Sequence, residues 1–251
     1  MEIRTFGEGV RMLECQRQLA ELSRVGEFAF SRLSILPIPS TRDRKSINGT
    51  DISLWELVNE ACGGDAVAGY AIPDNIKSEL ELRGACVYDA ALDERFLLRN
   101  AELTAQGALG YILTKFSKAI SDLQIGIVGY GRIGSCLLRY LLFLGAPVRL
   151  YTTRESVAME LSMAGVRATS AFDGLSELDV LVNTAPARLL RNAEIRSLTL
   201  CGQVIDLASG NVYSDMADVV RIPSIPEKYY PVSAGKLYAE HIARWLEEGK
   251  V

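Results

Sequence analysis

The sequence predicts an α/β fold, a doubly wound parallel sheet with a second, smaller α/β domain. Three observations predict it. From Leu123 onward the runs QIGIV, VRLYT, VRAT, DVLVN, QVIDLA and DVVRI are each separated by a helical pattern or a tight connection, and such alternation builds parallel strands with helices on both faces. DVLVN is apolar almost throughout, as a central strand buried on both sides must be. A further set of strand-like runs, SRLSIL, AVAGYAI and ACVYDA, precedes these and is also interleaved with helical segments.

Taken in chain order, LPIPS closes the first of the upstream runs. Its Pro37 and Pro39 read either as a rigid strand end bordering a ligand cleft or as ordinary loop punctuation. TRDRKSINGT, residues 41–50, is polar and carries an Asn-Gly turn signal, so it is expected to be an exposed loop. DISLWELVNEAC sets Ile52, Trp55 and Val58 at helical spacing behind Asp51 as a cap, and DNIKSELELRG starts a helix at Asp74 and stops it at Gly84. TAQGALGYILTKFSKAI aligns Ala105, Ala108, Leu109, Ile112, Phe116 and Ile120 on one helical face. This gives an N-terminal domain at 1–102, an interdomain helix at 103–120 and a nucleotide-binding domain at 121–233, with a C-terminal helix, 234–251, returning to the first domain. Asn100 and Thr104 fall at the entry to the interdomain helix, where capping and lining of a substrate cleft are both open.

Charge and composition narrow the partners. Lys plus Arg number 27 against 31 Asp plus Glu, so the chain carries no electrostatic footprint for nucleic acid or anionic lipid. A small molecule is the expected partner. The five cysteines, Cys15, Cys62, Cys86, Cys136 and Cys201, are scattered and never form a CxxC pair, as expected of reduced thiols. With His241 the single histidine, a histidine-based metal cluster is excluded and no structural zinc is expected. The N-terminus lacks a basic region followed by an apolar core, and LLRYLLFLGA is interrupted by Arg139 and too short to span a bilayer. A cytoplasmic protein is expected.

Gly129, Gly131 and Gly134 form GxGxxG between the strand IGIV and a helix running to about Leu144, with Gly145 as its stop and VRLYT as the next strand. In that βαβ setting the motif is a dinucleotide-binding fingerprint of the Rossmann type. Gly129 permits the tight turn, Gly131 lets the backbone approach a pyrophosphate, and Gly134 lets helix and strand pack closely. The loop Gly129, Tyr130, Gly131, Arg132, Ile133, Gly134 then offers backbone N–H groups and the positive end of the helix to phosphate. At the end of the second strand, where a carboxylate would accept from the adenosine ribose, the chain has Thr152, Thr153 and Arg154. Two hydroxyls and a guanidinium suit a 2′-phosphate, which favours NADP, with NAD as the alternative that Glu155 keeps open. Ligands of such a sheet lie beyond the carboxyl ends of the strands, which puts Thr184, Ala185 and Pro186, and Leu207, Ala208 and Ser209, along the nicotinamide half.

VGYGRIG, VNTAPARLL, VIDLAS and IPSIPEKYYPVSAG, with LPIPS and RNAELTAQGAL upstream, occur in the order and spacing of the dipicolinate synthase A-subunit family. The chain resembles that family over roughly residues 30–248. The resemblance implies a build like that of D-2-hydroxyacid dehydrogenases and a nicotinamide-dependent oxidation of a tetrahydrodipicolinate-type dicarboxylate. It also implies a flavoprotein-like second subunit, while homodimer formation is left open. Several positions depart from the family's pattern. Gln106 stands where the family has the glutamate of TxEG, and Gly210, Asn211, Val212 and Tyr213 replace an Arg-Pro-Gly-Gly run. Val232 and Ser233 replace the lysine and threonine of PKTAG, which leaves Ser233 a substrate-side candidate. A first strand bearing glycine and aspartate is expected to be missing.

No catalytic residue can be assigned. His241, with Tyr238, Ile242 and Trp245 at neighbouring helical positions, reads as a packed helix-face histidine. Two alternatives stand beside the oxidoreductase: a nucleotide-binding regulatory or partner subunit without turnover, and a 2-hydroxyacid dehydrogenase, which the lone histidine disfavours.

Overall fold

The computed structural model describes residues 1–23, 30–199, 202–208 and 212–248. The chain divides into two units, Met1–Asn100 with Pro226–Val251 and Ala101–Ile225.

The first unit holds four parallel strands in the order β1 (Glu2–Thr5), β2 (Arg32–Ile35), β3 (Asp65–Gly69), β4 (Cys86–Asp89). The interleaved helices are α1 (Val10–Ser23), α2 (Leu54–Glu60) and α3 (Asp74–Leu82). β1 corrects the expectation of a missing first strand. EIRT is half polar because it is an edge strand paired only with β2, through Glu2↔Arg32 to Thr5↔Ile35, and no apolar run marks it. Gly7 and Gly9 follow it, with Glu8 between them.

A core of Phe6, Leu36, Ile47, Leu54, Leu57, Val58, Ile72, Ile76 and Leu80 lies between the sheet and α2 and α3. The cap of α2 is Ser53, not Asp51: its hydroxyl accepts from the Trp55 N–H, and Glu56 accepts from the Ser53 N–H at 3.2 Å. That reciprocal pair satisfies two otherwise orphaned donors. Trp55 is half exposed, so only Val58 of the three expected face residues is fully buried, with Ile52 partly so. α1 packs on α9 (Pro231–Glu248), with Cys15 and Leu19 on one side and Leu237, Tyr238 and Ile242 on the other all buried. α9 begins three residues before the expected 234, because proline is tolerated in a first helical turn.

The long helix α4 spans Glu94–Lys115, beginning earlier and ending earlier than the expected 103–120. Asp93 sets its start, since Oδ1 accepts from the N–H groups of Arg95 and Phe96 at 3.0 and 3.1 Å. Asn100 and Thr104 therefore lie inside the helix, and the capping role considered for them falls away. Phe116 and Ile120 lie beyond its end.

The second unit carries six parallel strands: β5 (Ile125–Val128), β6 (Val148–Tyr151), β7 (Arg167–Thr169), β8 (Val180–Asn183), β9 (Gln203–Asp206) and β10 (Val219–Arg221). Its helices are α5 (Arg132–Phe143), α6 (Glu155–Met163) and α7 (Asn192–Thr199), and after β10 the chain passes at Ile225 into α8 (Ile225–Tyr229), whose remaining residues belong to the first unit. The spatial order β10-β9-β8-β5-β6-β7 runs outward from β5 in one direction and then, from β8, in the other. β5, β8 and β9 are buried along nearly their whole length, as interior strands covered on both faces are. The α/β, doubly wound expectation is therefore met. No helix among the described residues is long and apolar enough to cross a membrane, and they contain no group of three or more side chains able to hold a metal ion.

Candidate nucleotide-binding site

Reversal of strand order between β5 and β8 opens a crevice at their carboxyl ends, the place where ligands settle in open α/β sheets. The glycine loop lies there, and each glycine meets a different constraint. Gly129 has φ +96, and a Cβ on it would come within 2.9 Å of the Thr184 hydroxyl and 3.1 Å of the Ala185 nitrogen. Gly134 faces the backbone of Gly129, whose carbonyl oxygen any added Cβ would strike. Gly131 is different: no atom lies within 4 Å of where its Cβ would be. Two glycines are thus required by the fold, whereas the third leaves space that the fold does not use. α5 begins at Arg132 after Gly131, which makes no side-chain cap hydrogen bond, and the start of a helix is a favourable place for an anion. These features fit a dinucleotide pyrophosphate.

Around the loop, Tyr130 and Ile133 are partly buried and Arg132 is exposed. Thr184 is held by the scaffold: its hydroxyl lies 2.9 Å from the Val128 carbonyl and 3.3 Å from that of Gly129. Ala185 is buried and Pro186 exposed. Arg154, the residue preceding α6, reaches back to the loop and donates from Nη2 to the Tyr130 carbonyl at 2.6 Å. Thr152 is buried and its hydroxyl accepts the Arg154 N–H at 3.3 Å, while Thr153 is exposed. The ends of two strands therefore bring Tyr130, Thr152 and Arg154 together.

Sequence reasoning missed the pair beneath the adjoining turns. Asn183 and Asp206 are opposite each other at the last positions of β8 and β9. Both are almost fully buried, with Asn183 Nδ2 donating to Asp206 Oδ1 at 2.7 Å and to the Ala185 carbonyl at 3.1 Å. Asp206 Oδ1 also accepts the Ala208 N–H at 3.1 Å. The pair fixes both turns, 184–186 and 207–208, from below. Its signal was present, a polar residue ending each of two apolar strands. Leu207 is buried and Ala208 partly so. Ser209, like Gly210, Asn211 and Cys201, lies outside the described residues.

Other expected positions are elsewhere in the chain. Pro37 is buried and Pro39 partly buried in the segment after β2 of the first unit. Asn100 and Thr104 are on α4, the latter buried. Ser233 and Val232 are exposed in the first turn of α9. Gln106 donates to the Tyr140 hydroxyl at 3.1 Å, and that hydroxyl donates to Glu102 at 2.9 Å. An ionised glutamate at 106 could not donate to the same oxygen, so glutamine completes this bridge. Tyr213 is fully buried, its hydroxyl accepting the Leu190 N–H at 3.1 Å. His241 is buried on α9, with Nδ1 2.7 Å from Asp93 Oδ2 and its ring edge-on to Phe96.

Comparison with known proteins agrees with this geometry. Residues 99–215 match the family of D-isomer specific 2-hydroxyacid dehydrogenase, NAD binding domain. The dipicolinate synthase A-subunit of Bacillus subtilis (strain 168) is 25% identical over 167 residues, a match that spans 60% of this chain and 56% of that protein, little more than half its length. The crystal structure of the dipicolinate synthase A-subunit from Bacillus halodurans superposes with a TM-score of 0.80 at 18% identity, covering 98% of this chain and 97% of that one. Its counterpart from Bacillus subtilis gives 0.78 at 16% identity, covering 99% and 96%. The structural likeness establishes the fold. An NAD(P)-binding domain is present.

Proposed function

From an NAD(P)-binding domain in a chain that resembles the dipicolinate synthase A-subunit, we propose an NADP-dependent oxidoreductase acting on a tetrahydrodipicolinate-type cyclic dicarboxylate. NAD is the alternative nucleotide, and a flavoprotein-like second subunit is the partner in this reading. The observation that carries it is the open face at Gly131 with the Arg154 guanidinium drawn to the Tyr130 carbonyl beside it. In this reading the segment Gly129 to Gly134 takes the pyrophosphate, Thr152, Thr153 and Arg154 take the 2′-phosphate, and the turns at 184–186 and 207–208 hold the nicotinamide side. The nucleotide would supply the hydride acceptor. Pro37, Pro39, Asn100, Thr104, Ser209 and Ser233 remain the substrate-side candidates.

A 2-hydroxyacid dehydrogenase reading is weaker, because the single histidine of the chain, His241, is buried on α9. The regulatory-subunit reading draws on Gln106, which is tied to Tyr140 in place of the family's acid. Fluorescence titration decides the nucleotide. NADPH should bind more tightly than NADH, and Arg154→Ala should shrink the difference by roughly tenfold or more, since a charged hydrogen bond contributes about 1.5–3 kcal/mol. Equal affinities in the unmodified protein would sink the NADP assignment. Formation of NADPH from NADP and the cyclic dicarboxylate, absent with either alone, separates the enzyme from the regulatory reading.

A further inference from the structure

Arg11, in the first turn of α1, is only 3% exposed, and its Nε makes no hydrogen bond. A guanidinium withdrawn from water needs acceptors for its donors, and here Nε has an ion-pair partner but no aligned hydrogen bond. Its ion-pair partner is Glu227 of α8, with Oε2 3.2 Å from Nε. The other oxygen of the same carboxylate lies over Gly9, where a Cβ would approach Oε1 to 3.0 Å. Gly9 has φ +113 and accepts the first helical hydrogen bond of α1, from the Leu13 N–H at 3.1 Å. One carboxylate thus occupies the point where a helix N-terminus and a buried guanidinium converge, and both favour an anion.

The two partners differ in freedom. Arg11 is enclosed, with α9 pressed against its carbonyl at Gly235, whereas the Glu227 side chain is 36% exposed and belongs to a five-residue helix. Thr5, the last residue of β1, has the other buried side-chain atom without a partner among the described residues. It lines a groove of about 520 Å³ with Phe6, Gly7, Glu8 and Thr50, along the connection that leads to Gly9.

We infer that the start of α1 is a carboxylate-binding site, filled from within by Glu227, which takes one carboxylate of a small dicarboxylate when Glu227 turns out to solvent. The groove at Thr5, lined also by Arg4 and Asp51, lies along the connection just before this site. The inference deepens the proposed function and rests on it for the choice of probe.

The test is thermal stabilisation of the full chain by pyridine-2,6-dicarboxylate, read as an apparent Kd. Glu227→Gln removes the internal competitor and leaves the guanidinium unpaired, so it should bind the probe about tenfold more tightly than the unmodified protein and recover melting temperature with it. Arg11→Lys should bind about tenfold more weakly, having lost the planar fork. A merely structural ion pair would lower the melting temperature of both variants, with no gain in probe affinity for Glu227→Gln. That result, or undiminished binding in Arg11→Lys, overturns the inference. The Glu227→Gln comparison stands even if Arg11→Lys does not fold. NADPH titration of the same samples tests the nucleotide reading by itself, so the two can fail separately.

Discussion

Gly131 and Gly134, neighbours in one loop, show how much a single hydrogen can decide. Gly134→Ala would drive a methyl group into the Gly129 carbonyl, so it should destabilise the protein by about 1–3 kcal/mol through overpacking, visible as a lower urea midpoint. Gly131→Val adds more bulk where nothing stands within 4 Å. It should leave helical content nearly unchanged by circular dichroism and abolish nucleotide binding; retained binding would make the glycine loop only a turn. Asp93 is the corresponding residue of the first unit, joining the cap of α4 to Tyr88, His241 and Arg244. Burial pushes its carboxyl up, but hydrogen bonds from His241, Tyr88 and the Phe96 N–H outweigh that and hold it at about 2. A carboxyl depressed from the usual 3.8 adds stability that is fully present above that value and is lost as pH falls through 2, about 2 kcal/mol in all. Denaturant midpoints measured between pH 5 and pH 2 should drop accordingly, and Asp93→Asn should flatten that part of the profile.

At the scale of elements, caps separate what the sequence states from what it hides. Ser53 and Glu56 form a capping box three residues apart, a local pattern fully readable in SLWE, yet the nearby Asp51 draws the eye. Ser53→Ala should cost about 1 kcal/mol and Asp51→Ala almost nothing, by thermal unfolding; the reverse order would restore Asp51 as the cap. The start of α4 was legible by the same rule, since Asp93 precedes ERFLL, but the small-residue face of AQGALG is the louder signal. The strands of the second unit were legible because burial on both faces leaves them uniformly apolar. β1 was not, because an edge strand keeps its polar residues. Nor could the contacts of Arg154 with Tyr130, Asn183 with Asp206, or Glu227 with Arg11 be read locally, although the polar ends of β8 and β9 stand in the sequence. Each pair joins residues more than 20 positions apart, brought together only by strand order and helix packing.

For the whole molecule, division into Met1–Asn100 with Pro226–Val251 and Ala101–Ile225 gives the two proposed ligands separate addresses. Every residue assigned to the nucleotide, from Gly129 to Ala208, falls in the second unit, and Gly9, Arg11 and Glu227 all fall in the first. A ligand that binds only folded protein raises the free energy of the opening that destroys its site, by about 2.7 kcal/mol at 100 times Kd. Hydrogen exchange resolves this by segment. With NADPH at that excess, the slowest amides of β5 and β8 should exchange about 100-fold more slowly, because the loop at Gly129 and the turn at Thr184 close on the nucleotide together. Pyridine-2,6-dicarboxylate should instead protect the first turns of α1 and α8, and more strongly in Glu227→Gln. Nucleotide protection that left β5 and β8 unchanged would remove the cofactor from the crevice where the strand order reverses, and with it the basis for reading this chain as an oxidoreductase.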